Sequence, residues 1–227
     1  RVTAALSVPT AEGPLYEVDT RLRPQGNQGP LAVSIDSFAR YQREEAWTWE
    51  HMALTRARVL VGPPEARREI GAIIADVLGQ PRDPAALKAD VLKMRAEMAA
   101  HKPPAGALDA KLMRGGLVDL EFLVHFLQLR ERAALTPDLR DAVGLLVSAG
   151  LLPAVLNEAY ALLARLLVSA RLLAPDCAEP PAAAGAALAR ACRMADYPAL
   201  LAAFGEARRA VAAAWLATFG ETLEIER

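Results

Sequence analysis

Apolar and polar residues follow two different rhythms along this chain, with a change near residue 34. In LYEVDTR and the two residues after it, side chains alternate between faces: Tyr16, Val18, Thr20 and Leu22 fall on one, Glu17, Asp19, Arg21 and Arg23 on the other. This alternation predicts a half-buried strand over residues 15–22 whose open face carries carboxylates and guanidiniums. Residues 1–8 read as a short helix or strand leading into a turn at 9–13. A tight loop is expected over 24–30, where Gly26 and Gly29 are free to adopt positive φ, and residues 31–33 are a candidate second strand.

From Ser34 onward the spacing is helical. Ser34 is a plausible N-cap for a helix running to about residue 61, stopped by Gly62-Pro63-Pro64. A second helix is expected over about 65–78, ending at Gly79. A third begins at Asp83-Pro84, with Leu87, Val91, Met94 and Met98 forming one buried stripe. After a loop at 102–116 comes a segment that is apolar nearly all round, from Leu117 to Leu129, which marks the centre of a bundle. Further helices are expected from Thr136-Pro137, Pro153, Pro181 and Pro198, with Gly150 and Gly220 as stops. The pattern therefore gives about eight helices and a mainly α fold. It divides into residues 1–83, part of a mixed α/β element with short strands, and 84–227, a helical bundle.

Composition narrows the picture. Of 227 residues 53% are apolar but only 5% aromatic, so Leu, Ala and Val must build the core, which favours packed helices. The charge is balanced at −1, with 26 basic and 27 acidic residues, so no global basic field exists to recruit nucleic acid. No apolar run reaches the roughly 20 residues of a membrane span, and no signal peptide opens the chain, so a cytoplasmic location is expected. Cys177 and Cys192 form neither a disulfide framework nor a zinc set and are expected to pack as small apolar residues. The abrupt opening RVTAALSVP reads like the middle of a domain, hence a piece of something larger.

Three stretches can carry chemistry. Asp19, flanked on its own face by Glu17 and Arg21, suits metal coordination or proton abstraction beside a phosphate-bearing ligand, with Arg21 and Arg23 as donors to phosphate oxygens. The same pattern also describes a solvated ion-pair ladder, and spacing by itself favours that ladder. YQREEAWTWEHMALTRAR (41–58) packs two Trp, three Glu, three Arg and His51 into 18 residues. Surface pairs such as Glu50–Arg58 explain the charges, and a hydrogen-bonded structural role explains His51. In LMRGGLVDLEFLVHF (112–126), Asp119 and Glu121 interrupt an apolar run, with His125 on the face of Glu121. They either satisfy the helix N-terminus or reach toward a site near Asp19. Lys111 can meet a phosphate or pair with one of these acids, and Gly115-Gly116 can permit close backbone approach. No phosphate-cradling loop or dinucleotide fingerprint is present.

Two of these stretches are familiar. GPLYEVDTRLRPQGNQGPLAVSIDSFARYQREEAWTWEHMALTRARVLVG (13–62) resembles the region after the first catalytic motif of the glutamine synthetase adenylyltransferase family, and GGLVDLEFLVHFLQLR (115–130) resembles its second signature. REEAWTWEHMALTRAR is more similar to the C-terminal, adenylyl-transferring half of those tandem enzymes than to the removing half. The resemblance implies transfer of AMP from ATP, with Mg²⁺, to a tyrosine of glutamine synthetase. It implies that residues 1–83 end a nucleotidyltransferase domain and that Asp19 is the third of three metal-holding acids, catalytic and metal-binding at once. Arg21, Arg23 and Lys111 become candidates for nucleotide phosphates, and Glu17, Asp119 and Glu121 probable walls of the site. The Gly-Ser-x-x-Asp-x-Asp motif that supplies the other two acids is absent. It should precede residue 1, so the chain by itself is expected to be inactive.

The family resemblance also implies the nitrogen-signalling PII protein as a partner. Two other readings stand beside it: a non-catalytic helical module docking glutamine synthetase or PII, and part of the related PII uridylyltransferase.

Overall fold

The computed structural model describes residues 2–14 and 18–225. Leu15, Tyr16 and Glu17 lie outside the described residues, and with them the first three residues of the expected strand and one of the site candidates. The strand is not found over the described residues 18–22. Residues 18–20 have no regular structure and 21–25 turn, because the side chains bond locally instead of leaving the backbone to a neighbouring strand. Asp19 Oδ1 accepts the Arg21 N–H at 2.9 Å, and the Arg23 guanidinium holds Thr20 O at 2.7 Å and Gly29 O at 3.3 Å across the loop. Gln25 and Gly26, with φ of 60° and 53°, reverse the chain into a single 3₁₀ turn over Gly26–Gln28. Residues 31–33 are likewise not a strand. The described strands lie earlier: β1 (Pro9–Thr10) pairs antiparallel with β2 (Gly13–Pro14), behind a short helix α1 (Val2–Ser7).

Ten α-helices appear among the described residues, more than the pattern suggested. One difference is the expected helix from Ser34 to residue 61. Ser34 does cap α2 (Ile35–Glu44), accepting the Ser37 N–H. The chain then breaks and restarts as α3 (Thr48–Leu54). Glu50 causes the restart: it reaches back to the Trp47 N–H at 3.0 Å, half of a capping box, while the buried Tyr41 hydroxyl donates to both its oxygens at 2.9 and 3.0 Å. Neither the expected Glu50–Arg58 pair nor a Glu45–Arg43 pair forms among the described residues, Arg43 reaching Asp76 instead. Glu50 is buried in this network, and residues 56–61 are not helical.

The later elements follow their signals closely. α4 (Pro64–Leu78) ends at Gly79, and Arg82 donates to the carbonyls of Val77 and Leu78 in its last turn and of Gln80 just beyond it. α5 (Pro84–His101) is capped by Asp83 on the Ala86 N–H. α6 (Leu117–Glu131) is the central helix, packed by α3, α5, α7 (Leu139–Ser148), α8 (Val155–Leu173) and α10 (Tyr197–Phe219). α9 (Ala182–Ala191) closes against α8 and α10. Phe126, Trp215 and Phe219 stack with ring centres 4.7 and 4.4 Å apart where α6 meets α10. One continuous core runs from Ala39 in α2 to Leu223 beyond α10. Cys192 is buried in it and Cys177 packs at its edge, both as free thiols. Among the described residues no helix is long and apolar enough to cross a membrane.

Candidate functional site

Asp19 stands at the surface, and its carboxylate is already engaged. Arg21 grips it side-on, Nε at 3.0 Å from both oxygens and Nη2 at 2.6 Å from Oδ2. The guanidinium, the Arg21 N–H and the charge of Lys102 together hold the Asp19 carboxyl down at about 2. The group is therefore ionised at any physiological pH, a requirement for a metal ligand. Taken alone, however, the residues present do not build a metal site: among the described residues no three His, Cys, Asp or Glu side chains converge, and both Asp19 oxygens are spoken for. Arg21 pairs with Asp19, and Arg23 spends its guanidinium on the loop backbone. Local geometry thus fixes the spacing of the three groups before any ligand arrives.

Leu22, in the same loop, leads into a cleft of about 670 Å³ between α2, α3 and α4. Phe38, Ile70 and Ile74 form its apolar wall, Gln42 and Glu50 line it, and Arg56 and Arg58 bring positive charge. The Gln42 amide is nearly buried and its Oε1 has no donor. A smaller cavity of about 150 Å³ adjoins, sharing Leu22, Ala53 and Arg56 with the first and adding Trp49, Glu121 and His125. Trp47, beside it in sequence, is 71% exposed.

The second signature divides its residues between this cavity and the core. Glu121 faces the cavity, 3.8 Å from Arg56 Nη1. Burial raises its pKa against the opposing charges of Arg56 and Lys111. His125 is buried. Its Nδ1 lies 2.9 Å from Thr55 Oγ1 and 3.0 Å from Gln128 Oε1. The Thr55 hydroxyl is committed to Met52 O at 2.7 Å, so the ring is assigned as the Nδ1–H tautomer donating to both. Burial depresses its pKa to about 4. His51 is a second structural ring, bonded through Nε2 to Gln42 O at 2.9 Å and lowered by burial, as expected for a histidine on a packing helix.

Asp119 points the other way. With 0% side-chain exposure it forms an ion pair with Arg95 of α5, Nε to Oδ1 at 2.5 Å, and its Oδ2 accepts the Gly115 N–H at 2.7 Å. Gly115 turns at φ +75°, and a methyl group there would sit 2.3 Å from Arg208 O on α10. Arg208 returns a bond from Nε to Arg114 O at 2.9 Å. The paired glycines thus permit the close backbone approach, with Asp119 locking the turn from inside. Sequence reading missed Arg95, although the signal was there: it falls four residues after Val91 on the stripe that begins at Leu87. It also missed Thr55 as the partner of His125 and Arg56 as a wall shared by both cavities, since tertiary contact alone unites them.

Over residues 1–72 the chain matches the model of the glutamate-ammonia ligase adenylyltransferase family. It is 56% identical over 129 residues to the bifunctional glutamine synthetase adenylyltransferase/adenylyl-removing enzyme of Agrobacterium fabrum (57% of this chain, 13% of that protein). It is 43% identical over 213 residues to the enzyme of the same name from Rhizobium meliloti, and 44% over 215 residues to that of Xanthobacter autotrophicus. These two alignments cover 88% of this chain and 21% of each relative, so the chain spans about a fifth of their length.

Proposed function

We propose that this chain is a segment of an enzyme that transfers AMP from ATP to a tyrosine of glutamine synthetase. Similarity over 88% of the chain to proteins bearing that name carries the reading. In this view residues 1–83 end the nucleotidyltransferase domain and 84–227 form the bundle beside it. Asp19 supplies one carboxylate of a Mg²⁺ site completed by residues outside this chain, and its depressed pKa suits that task. Arg21, released from Asp19 when a cation takes its place, is available to phosphate oxygens. Glu121 stands on the cavity wall, and Lys111 adds positive charge toward it. Arg23 and Asp119 act at one remove, holding the loop and the α6 turn. The wording of 43–58 favours the transferring half, and the working location is the cytoplasm, with PII as a regulatory partner.

The test is AMP transfer from labelled ATP to purified glutamine synthetase by the full-length parent and its Asp19→Asn variant. Loss of nearly all transfer, at least about a hundredfold, with unchanged folding is the expected result. Near-normal transfer by the variant leaves Asp19 and Arg21 a surface ion pair. The exposed Trp47 favours one other reading, a docking module without chemistry, and that reading then takes over.

A further inference from the structure

Arg56 is the one described side chain that is both charged and shared by the two cavities as a cation. It is 47% exposed and, among the described residues, its acidic partner Glu121 stands 3.8 Å away, beyond the 2.7–2.9 Å of a strong charge-assisted bond. A guanidinium held so loosely keeps most of its donors for another acceptor. Beside it, Arg58 lines the larger cavity, whose far wall of Phe38, Ile70 and Ile74 is apolar and whose Gln42 Oε1 has no donor. The complement of such a cavity is a ligand with a flat apolar body that carries N–H donors at one end and several negative charges at the other. A nucleoside polyphosphate has all three features. We infer that Arg56 is the clamp for its phosphates, parked on Glu121 when the cavity is empty and swung onto phosphate oxygens when a nucleotide enters. Glu121 is then a positioning residue: it competes with the ligand for Arg56 and so ties α6 of the bundle to occupancy of the cleft.

The inference rests on the nucleotide chemistry proposed above but assigns it to different residues. Calorimetric titration of the 227-residue chain with inorganic tripolyphosphate and with ATP, both without divalent cation, tests it. The chain should bind both, ATP more tightly because its base meets the apolar wall. Arg56→Ala should weaken both by about tenfold, with Arg56→Lys intermediate, because a point charge replaces a fork. Glu121→Gln should strengthen both several-fold by freeing the guanidinium. Arg190→Ala, exposed on α9, should change nothing, and far-UV circular dichroism should confirm that each variant folds. No binding by the unmodified chain, unchanged binding by Arg56→Ala, weaker binding by Glu121→Gln, or equal affinity for ATP and tripolyphosphate each overturns the clamp. The two proposals fail separately. A parent whose AMP transfer depends on Asp19 while Arg56→Ala binds normally removes the clamp alone. A working clamp beside a fully active Asp19→Asn parent removes the transfer assignment alone.

Discussion

Single side chains in this protein are decided by whether they find a partner after burial. Two acids two residues apart make the point. Asp119 lost its water and gained a guanidinium and a backbone N–H, while Glu121 kept part of its water and only a distant arginine. The first is fixed and the second is free to exchange partners. His125 shows the same rule acting on a proton. Its folded pKa of about 4 lies below the ordinary 6.5, so below pH 6.5 the unfolded chain takes up a proton that the buried ring refuses. Stability from this group is fully present above pH 6.5 and is lost as pH falls toward 4, by roughly 3 kcal/mol. Urea midpoints between pH 7 and pH 4 should therefore decline, and His125→Gln, which keeps a donor for Thr55, should flatten the decline. An unchanged slope places the titrating group elsewhere.

At the scale of elements, close approach between segments is governed by what the backbone tolerates. The turn into α6 works because Gly115 accepts φ +75° and leaves room for Arg208 O. Gly115→Ala combines left-handed strain with a methyl group against a carbonyl, and should cost on the order of 2–4 kcal/mol. Chemical denaturation reads the loss directly. A cost below about 0.5 kcal/mol means that α6 and α10 slide apart without penalty and that the glycine pair has another purpose. The break between α2 and α3 follows the same logic. A carboxylate that caps a new helix and satisfies a buried tyrosine outcompetes continuation of the old one.

For the whole molecule, the bundle is held at the seam of its central and last helices. Trp215 is 2% exposed and touches Phe219, which stacks on Phe126. The rest of the core is mostly Leu and Ala, whose small side chains cannot refill that volume. Trp215→Ala should therefore cost about 3–5 kcal/mol and lower the thermal midpoint by about 6–20 °C. A smaller loss with intact cooperativity shows that the seam collapses into the cavity. The loop that carries Asp19 owes little to this seam, since its bonds are local, so the variant should leave the Asp19–Arg21 pair unchanged.

What the sequence determined by itself is whatever depends on near neighbours. The caps at Ser34, Asp83 and Gly220, the central place of α6 and the helical class were readable because cap chemistry and apolar spacing act within a few residues, and the family resemblance because its two motifs are contiguous stretches of chain. The strand at 15–22 was misread over its described part because alternation needs a neighbour to pair with, and local Asp19–Arg21 and Arg23–Thr20 bonds took the backbone's place. Only the tertiary structure decided that Asp119 belongs to Arg95, His125 to Thr55 and Arg56 to two cavities at once. Those residues lie 24, 70 and 65 positions from Arg95, Thr55 and Glu121 respectively, and no periodicity reaches across such distances. The energy of a buried charge is settled by the group that packing sets against it.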